Sequence, residues 1–246
     1  MELLEYEKIH KLQMNGWWFG NGRNKIVIDI LKRSVTNFHG SRLLDVGCSE
    51  GAFLDYLNQN KIDFTAIDSD QNAINFCRER GYGNRVECGN VLNLQFPDNS
   101  FDIVTALDVI EHVKDDIKAL SEIKRVCKKN GIIFLIIPAH QWLWSSNDIA
   151  YHHWRRYSKK MVKELIKKLD LEIITLTYFN ILLFPLFILI TFVKKMFFQN
   201  KICSNVTIAV PKVINCFLIK VMDFERILIK SGMVPFGASL IIVAKK

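Results

Sequence analysis

The stretch Leu43-Leu44-Asp45-Val46-Gly47-Cys48-Ser49-Glu50-Gly51-Ala52-Phe53-Leu54 leaves a chain few ways to fold. Leu43, Leu44 and Val46 supply a buried strand, Gly47 and Gly51 permit a tight turn, and Phe53, Leu54 and Leu57 begin a helical period. A strand that turns through glycines into a helix makes a nucleotide-type cradle, because amides at the helix start point into the turn. The dinucleotide version needs G-x-G-x-x-G, whereas Ser49 and Ala52 stand where its second and third glycines would be. An acid, Asp45, precedes Gly47 by two residues, where negative charge repels a pyrophosphate and suits a cationic ligand.

The segments after the turn extend the pattern. Phe64-Thr65-Ala66-Ile67-Asp68 reads as a second strand ending in an acid. Asp68 stands about 20 positions beyond Gly47, the spacing at which a carboxylate accepts both ribose hydroxyls. Asp70 is placed to cap a helix over Gln71 to Arg80 that stops at Gly81. A short strand near Arg85 to Cys88 leads to Gly89-Asn90-Val91-Leu92. A fourth strand, Ile103 to Leu107, runs into Asp108-Val109-Ile110-Glu111-His112. A helix from Asp115 to Lys129, with Ile117, Leu120, Ile123 and Val126 inward, precedes Ile132-Ile133-Phe134-Leu135-Ile136-Ile137. That run has the apolar character of a strand buried on both faces, as in a parallel sheet covered by helices. In such sheets ligands bind beyond the carboxyl ends of the strands, so the segment from Pro138 to Tyr157 lies over the site.

These motifs carry a resemblance. D-x-G-x-x-x-G over Asp45, Gly47 and Gly51 resembles motif I of the class I S-adenosylmethionine-dependent methyltransferases, usually D-V-G-C-G-x-G, with Ser49 at the middle glycine. Leu94-Gln95-Phe96-Pro97-Asp98-Asn99-Ser100-Phe101-Asp102-Ile103-Val104 is similar to the family's L-P-F-x-D-x-S-F-D-x-V. Trp17-Trp18-Phe19-Gly20-Asn21-Gly22-Arg23 and the D-x-x-x-x-H-x-R-R-Y of Asp148 to Tyr157 resemble one subgroup of these enzymes, akin to the ubiquinone-pathway O-methyltransferases. The resemblance implies an α/β, Rossmann-like, seven-stranded and mostly parallel sheet with helices on both faces and the last strand antiparallel. It implies S-adenosylmethionine as cofactor, cradled by Asp45, Gly47, Cys48, Ser49 and Gly51, with Asp68 and Ser69 at the ribose. Asn90 and Val91 would stand beside the adenine, the Asn90 carbonyl accepting from its amino group. Leu107 and Asp108 complete the cofactor-binding set, Trp18 is expected to close over the cofactor, and Arg23 to meet its carboxylate.

Two further readings concern catalysis. If the chain turns helical after the fourth strand, Asp108, Glu111 and His112 share a face and could hold a divalent cation such as Mg2+; similar E-x-x-E-H clusters bind metal in some related enzymes, while many relatives carry D-x-x-E-H without any metal, the residues packing and hydrogen-bonding locally. Over the site, Trp142, Trp144, His152, His153, Trp154, Arg155, Arg156 and Tyr157 read as an acceptor lid. There His153 serves as general base and Arg155 and Arg156 hold an anionic or hydroxyl-rich acceptor, with Tyr157 beside them. Against this stands paired arginines and tryptophans that merely seal the core.

A strand over Leu171 to Leu176 follows, and then the sequence departs from the minimal fold. Ile181 to Val193 is apolar except for Thr191, too short for the roughly 20 residues that span a bilayer. With a second amphipathic helix near Lys212 to Lys230 it forms a helical-hairpin insertion before a last strand at Ser239 to Ala244. One domain is expected: a helical cap over 1–40, a cofactor-binding core over 41–178, the insertion over 179–235 and the last strand over 236–246. The net charge of +8 on 246 residues calls for an anionic partner, and apolar surface beside lysines over 181–198 suits a membrane interface and a lipid-linked acceptor. Nucleic acid is disfavoured, since neither an N-P-P-Y type sequence nor a Pro-Cys nucleophile is present. The six cysteines lack C-x-x-C spacing, so neither zinc nor a disulfide framework is indicated. With a charged N-terminus that lacks a signal-peptide core, a cytoplasmic location is expected, peripheral at the inner face of the membrane. The alternative function on the same scaffold is a non-catalytic cofactor-binding or membrane-interaction protein, or an RNA methyltransferase.

Overall fold

The computed structural model describes residues 18–197, 210–232 and 234–246. Seven strands form one sheet: β1 (Arg42–Val46), β2 (Asp63–Asp68), β3 (Val86–Cys88), β4 (Phe101–Leu107), β5 (Cys127–Pro138), β6 (Glu172–Phe179) and β7 (Ser239–Lys245), in the spatial order β3-β2-β1-β4-β5-β7-β6. The first five pair in parallel, and β7 runs antiparallel between β5 and β6. The chain moves outward from β1 to β3, then returns to lay β4 on the other side of β1. That reversal opens a crevice at the carboxyl ends of β1 and β4, where doubly wound sheets bind their ligands.

Alternation along the strands explains why both faces are covered. Leu43, Phe64, Ile103, Phe134, Ile136, Ile241 and Val243 pack on one side with the helices α1 (Trp18–Ser34) and α2 (Ala52–Gln59). Leu44, Val104, Ala106, Ile133, Leu135, Leu240 and Ile242 pack on the other with α4 (Asp116–Val126) and α6 (Lys159–Lys168). Side chains of period two feed two cores, so strands without polar alternation are the expected signature of a central position. The expected caps are present: Asp70 Oδ1 accepts from Asn72 N at 2.9 Å to start α3 (Gln71–Cys77), and Ser158 Oγ from Met161 N at 3.2 Å to start α6.

Several boundaries differ from the sequence reading. The helix expected to reach Lys129 stops at Val126, and strand β5 begins at Cys127. Asn130 there takes φ 62° and the pairing with β4 shifts register between Phe101 and Ile103. Lysines at the end of a helical period gave no sign of the change. Strand β6 continues beyond Leu176 to Phe179, its Thr177 and Tyr178 paired with Ile241 and Leu240; this edge strand is half-exposed, so no apolar run marks its end.

The insertion contains α7 (Phe184–Phe197) and α8 (Lys212–Lys230), as expected, but α8 lies chiefly along α1 and not along α7. Gly22 makes this crossing close: a Cβ there would come within 2.6 Å of Met222 Cβ. Arg226 Nε donates to Asp29 Oδ2 at 2.6 Å, and Trp18 N to Asn215 Oδ1 at 3.0 Å. The expected helical cap and the insertion are thus one packed unit against the sheet. Glu225 of α8, fully buried, accepts from Ile181 N at 2.9 Å and anchors the chain entering α7.

Candidate functional site

The turn after β1 is held by its neighbour strand. Gly47 N and Cys48 N donate to Ile67 O at 2.8 and 3.0 Å, and Gly51 N to Cys48 O at 2.9 Å. Gly47, at φ 79°, leaves no room for a side chain, since a Cβ would meet Val109 Cγ2 at 2.4 Å. Ser49 also has positive φ, 48°, which explains why glycine is the common alternative there. Its N–H donates to Asp68 Oδ2 at 2.8 Å, while Asp68 Oδ1 accepts from Asp70 N at 2.9 Å. From outside, Arg80 braces the turn, donating to Glu50 O at 2.5 Å and to Asp55 at 2.6 Å.

Asp45 lies beneath this turn, 2% exposed. Thr105 Oγ1 donates to its Oδ1 at 2.6 Å. Burial pushes the Asp45 carboxyl up to about 7, against the Thr105 hydrogen bond and the Arg23 charge. Burial likewise raises Asp68, against its two backbone hydrogen bonds. Burial thus favours the neutral form of Asp45 until a cation stands beside it. Arg23 Nη1 donates to Asp108 Oδ2 at 2.7 Å, so the acid at the end of β4 is joined to α1 across the crevice mouth. Asp108 has φ 58° and its N–H donates to Ile136 O at 2.9 Å.

The segment after β5 is stitched to itself. His140 N donates to Tyr157 O and Tyr157 N to Pro138 O, both at 2.9 Å. Asp148, fully buried in the short helix α5 (Ser146–Ala150), gathers three residues around its carboxylate. Its Oδ2 accepts from Ser145 N at 2.8 Å and Arg156 Nη2 at 3.0 Å; its Oδ1 accepts from Arg156 Nε at 2.7 Å and faces His153 Nδ1 at 2.9 Å. Burial would raise this carboxyl, but the hydrogen bonds from His153 and Arg156 bring it down to about 2. Arg155 Nη1 donates to Asp116 Oδ2 at 2.7 Å, and the buried Tyr157 hydroxyl to the same oxygen at 3.0 Å.

Residues 44–135 match the family model described as a methyltransferase domain. Over that stretch the chain is similar to the class I S-adenosylmethionine-dependent methyltransferases. An uncharacterized protein of Methanocaldococcus jannaschii is 36% identical over 45% of this chain and 46% of its own length. A ubiquinone biosynthesis O-methyltransferase of Actinobacillus pleuropneumoniae is 23% identical over 53% of this chain and 62% of its own. Among solved structures, a SAM dependent methyltransferase from Archaeoglobus fulgidus superposes with TM-score 0.57 at 21% identity, covering 91% of this chain and 94% of that one. The chain thus spans about half to three fifths of these curated relatives, while the structural superposition covers nearly the whole chain.

Within this methyltransferase domain the predicted cofactor residues Asp45, Gly47, Cys48, Ser49, Gly51, Asp68, Leu107 and Asp108 collect at the carboxyl ends of β1, β2 and β4. The other expected residues make contacts of their own. Trp18 stands edge-on to Phe19 at 5.5 Å, and Phe19 packs on Phe179 at 6.3 Å; Trp17 lies outside the described residues. Asn90 Oδ1 accepts from Leu92 N at 2.9 Å, turning back to shape its own loop. Arg155 and Tyr157 turn their polar groups to Asp116, and Arg156 to Asp148. Asp108 does not join Glu111 and His112 as a ligand; that pair instead comes together with His153, because a tight turn over Ile110–His112 replaces the expected helix.

Sequence reasoning passed over Thr105, Asp148, Asp116 and Arg80. A threonine inside an otherwise apolar strand signals a buried partner, and Asp148 opens the D-x-x-x-x-H-x-R-R-Y pattern itself. Nothing local marks Asp116 or Arg80, whose partners are distant in the chain.

Proposed function

We propose that the chain binds S-adenosylmethionine in the crevice beyond β1, β2 and β4 and moves its methyl group to an oxygen or nitrogen of a small, amphiphilic or lipid-linked acceptor. The observation that carries this reading is Asp68. Its two oxygens are fixed by Ser49 N and Asp70 N, yet an ionised carboxylate offers about four acceptor sites, so capacity remains for a pair of ribose hydroxyls. Gly47 and Gly51 admit close approach of a ligand to the turn, Ser49 and Ser69 flank Asp68, and Val91 borders the expected adenine position.

When bound, the cofactor supplies a methyl carbon made electrophilic by its sulfonium. The chain's part is to orient. Asp45, under the turn, takes up more negative charge as a cation approaches. Arg23, tied to Asp108, is placed at the same mouth to meet a carboxylate. Alignment of nucleophile and methyl provides most of the acceleration, so a strong base is optional; His153, oriented by Asp148, is the imidazole available for a proton. A relative named for ubiquinone biosynthesis and O-methyl transfer favours an oxygen acceptor.

The insertion supports an amphiphilic acceptor. Leu186, Leu189, Phe192 and Met196 on α7, and Val213, Phe217 and Ile227 on α8, are exposed apolar side chains. Among the described residues no helix is long and apolar enough to cross a membrane, so contact would be interfacial. A second reading, cofactor binding without transfer, is favoured by the self-paired arginines of the lid.

Calorimetric titration with S-adenosylmethionine and with NADH, followed by transfer of a labelled methyl group to fractionated lipid extracts, tests both. Saturable sulfonium binding with labelled product is expected. NADH binding alone would remove the reading, and sulfonium binding without product on any fraction would favour the second. Liposome flotation with anionic lipid tests the surface: replacement of Leu189, Phe192 and Met196 by serine should leave the chain in the soluble fraction, whereas equal recovery with the unmodified chain removes the membrane contact.

A further inference from the structure

We propose that Glu225 and Asn180 form a pH-operated latch that holds the amino end of α7 against the lid, closed while Glu225 is a neutral acid and loosened when it ionises. The latch sits where β6 passes the chain to α7. Asn180 turns that corner with φ 62° and is 2% exposed. The N–H groups of Asn180, Ile181 and Leu182 all hydrogen-bond to the Glu225 carboxyl, that of Ile181 to Oε1 at 2.9 Å. One side chain of α8 thus gathers three successive amides from a corner 44 positions away.

Two oxygens in this corner lack a donor. Glu225 Oε2 and Asn180 Oδ1 have no hydrogen-bond partner among the described residues, and both residues are sealed from water. Buried acceptors left bare cost free energy. A proton on Oε2 removes the charge and supplies a donor beside an acceptor that wants one, Asn180 Oδ1. Ionisation takes both away, and the remaining way to solvate the charged oxygen is to part α8 from the corner. Burial pushes the Glu225 carboxyl up to about 7, against its three amide hydrogen bonds, so the change falls in the neutral range.

The surrounding charges are engaged elsewhere, and none among the described residues adds to the balance at Glu225. On α8 and α1, Arg226 pairs with Asp29 at 2.6 Å and with Asp223 at 3.7 Å, and Lys25 with Asp223 at 3.8 Å. Arg23 is held by Asp108 at 2.7 Å, and Lys159 of α6 lies over the Tyr178 ring of β6 at 4.3 Å. What the latch holds is the first turn of α7, where Phe184 meets His140 at 5.5 Å, Phe236 at 5.7 Å and Trp142 at 6.2 Å. Burial pushes His140 below its ordinary 6.5, so this ring stays neutral where Glu225 ionises.

The folded value of Glu225, about 7, lies above the ordinary 4.5. The closed corner is therefore most favoured below about pH 4.5 and loses that advantage as pH rises to about 7. The test uses the full chain without methyl donor or acceptor and follows hydrogen exchange at Ile181 and Leu182 from about pH 5 to about pH 8. Relative to the intrinsic rate, protection should fall by about tenfold or more and level off above about pH 7. Glu225→Gln keeps an acceptor for Ile181 N and gives Asn180 a permanent donor, so its protection should stay constant over the range. Asp45→Asn should leave the fall in place, which separates the corner from the crevice. In the unmodified chain the carboxyl carbon of Glu225 should titrate with a midpoint near 7, and the indole resonance of Trp142 should shift over the same range, readouts that do not depend on any variant folding. A protection that ignores pH, a fall that persists in Glu225→Gln or vanishes in Asp45→Asn, a midpoint near 4.5, or a Trp142 resonance that stays in place would each overturn the proposal. Because donor and acceptor are left out, these outcomes are separate from success or failure of methyl transfer.

Discussion

Asp45 in the crevice and Asp148 in the lid are both sealed from water, 2% and 0% exposed, and they end in opposite states. Asp45 has a neutral hydroxyl as its close partner and is pushed up to about 7; Asp148 is enclosed by Arg156 and His153 and is brought down to about 2. Burial raises both carboxyls, and the cationic partners of Asp148 outweigh it. A charge neutralised inside its own segment makes rigid structure, and a charge left wanting a cation makes a place for a ligand. The crevice is the region that asks for something from outside, while the lid's arginines, which look like substrate-binding groups in sequence, have already been answered.

The comparison breaks most visibly at the lid. Asp148→Ala would strand Arg156 and leave His153 unoriented, and removal of one partner from such a buried pair costs about 3–5 kcal/mol; urea unfolding should show a loss of that size. A change under about 1 kcal/mol would mean that the lid is not built on this carboxylate.

Gly47→Ala acts in the crevice through backbone and space together. A left-handed residue costs about 1–3 kcal/mol, and the added Cβ would meet Val109 at 2.4 Å. Calorimetry should find no donor binding in this variant while the fold persists by circular dichroism. Asp68→Asn is the milder version: loss of hydrogen bonds to a charged acceptor, about 1.5–3 kcal/mol, should weaken the donor by about 10- to 100-fold with unfolding affected less than in Asp148→Ala.

The pH dependence sharpens the same contrast. For Asp45 the folded value, about 7, lies above the ordinary 3.8. The proton is bound more tightly in the native state, so its contribution to stability is complete below about pH 4 and is lost as pH rises through 7. Asp148 runs the other way, its contribution present above about pH 4 and lost as pH falls through 2. Asp45→Asn should therefore flatten the decline in melting temperature between pH 4 and 7, and an unchanged slope would place the titration elsewhere. At the small end, Arg226→Ala removes a half-exposed ion pair with Asp29, and less than about 1 kcal/mol should be lost; a larger effect would mean that the α1 and α8 contact is closer to the core than this pair suggests.

How much was legible depended on distance along the chain. The glycine turn, Asp68 and the strands flanking them were readable because each is specified by residues within a few positions: φ demands glycine, period two demands apolar strands, and a cap demands Asp70 or Ser158. The extension of β6 was not, since an edge strand needs no apolar run. The pairing of the lid was hidden because Arg155 and Arg156 carry the same side chains whether they face a substrate or Asp116 and Asp148. The tight turn over Ile110–His112 was equally hidden, and with it the exchange of Asp108 for His153 beside Glu111 and His112.

Sequence by itself determined the order of strands and helices and the glycine cradle with its carboxylate, since these follow from local backbone sterics and side-chain period. Only tertiary structure decided which charges meet. Arg23 reaches Asp108 across 85 positions of chain and Arg155 reaches Asp116 across 39, and α8 chose α1 over its neighbour α7 because Gly22 leaves room for Met222. Coulomb attraction and close packing depend on separation in space, which a sequence does not carry until the sheet has set it.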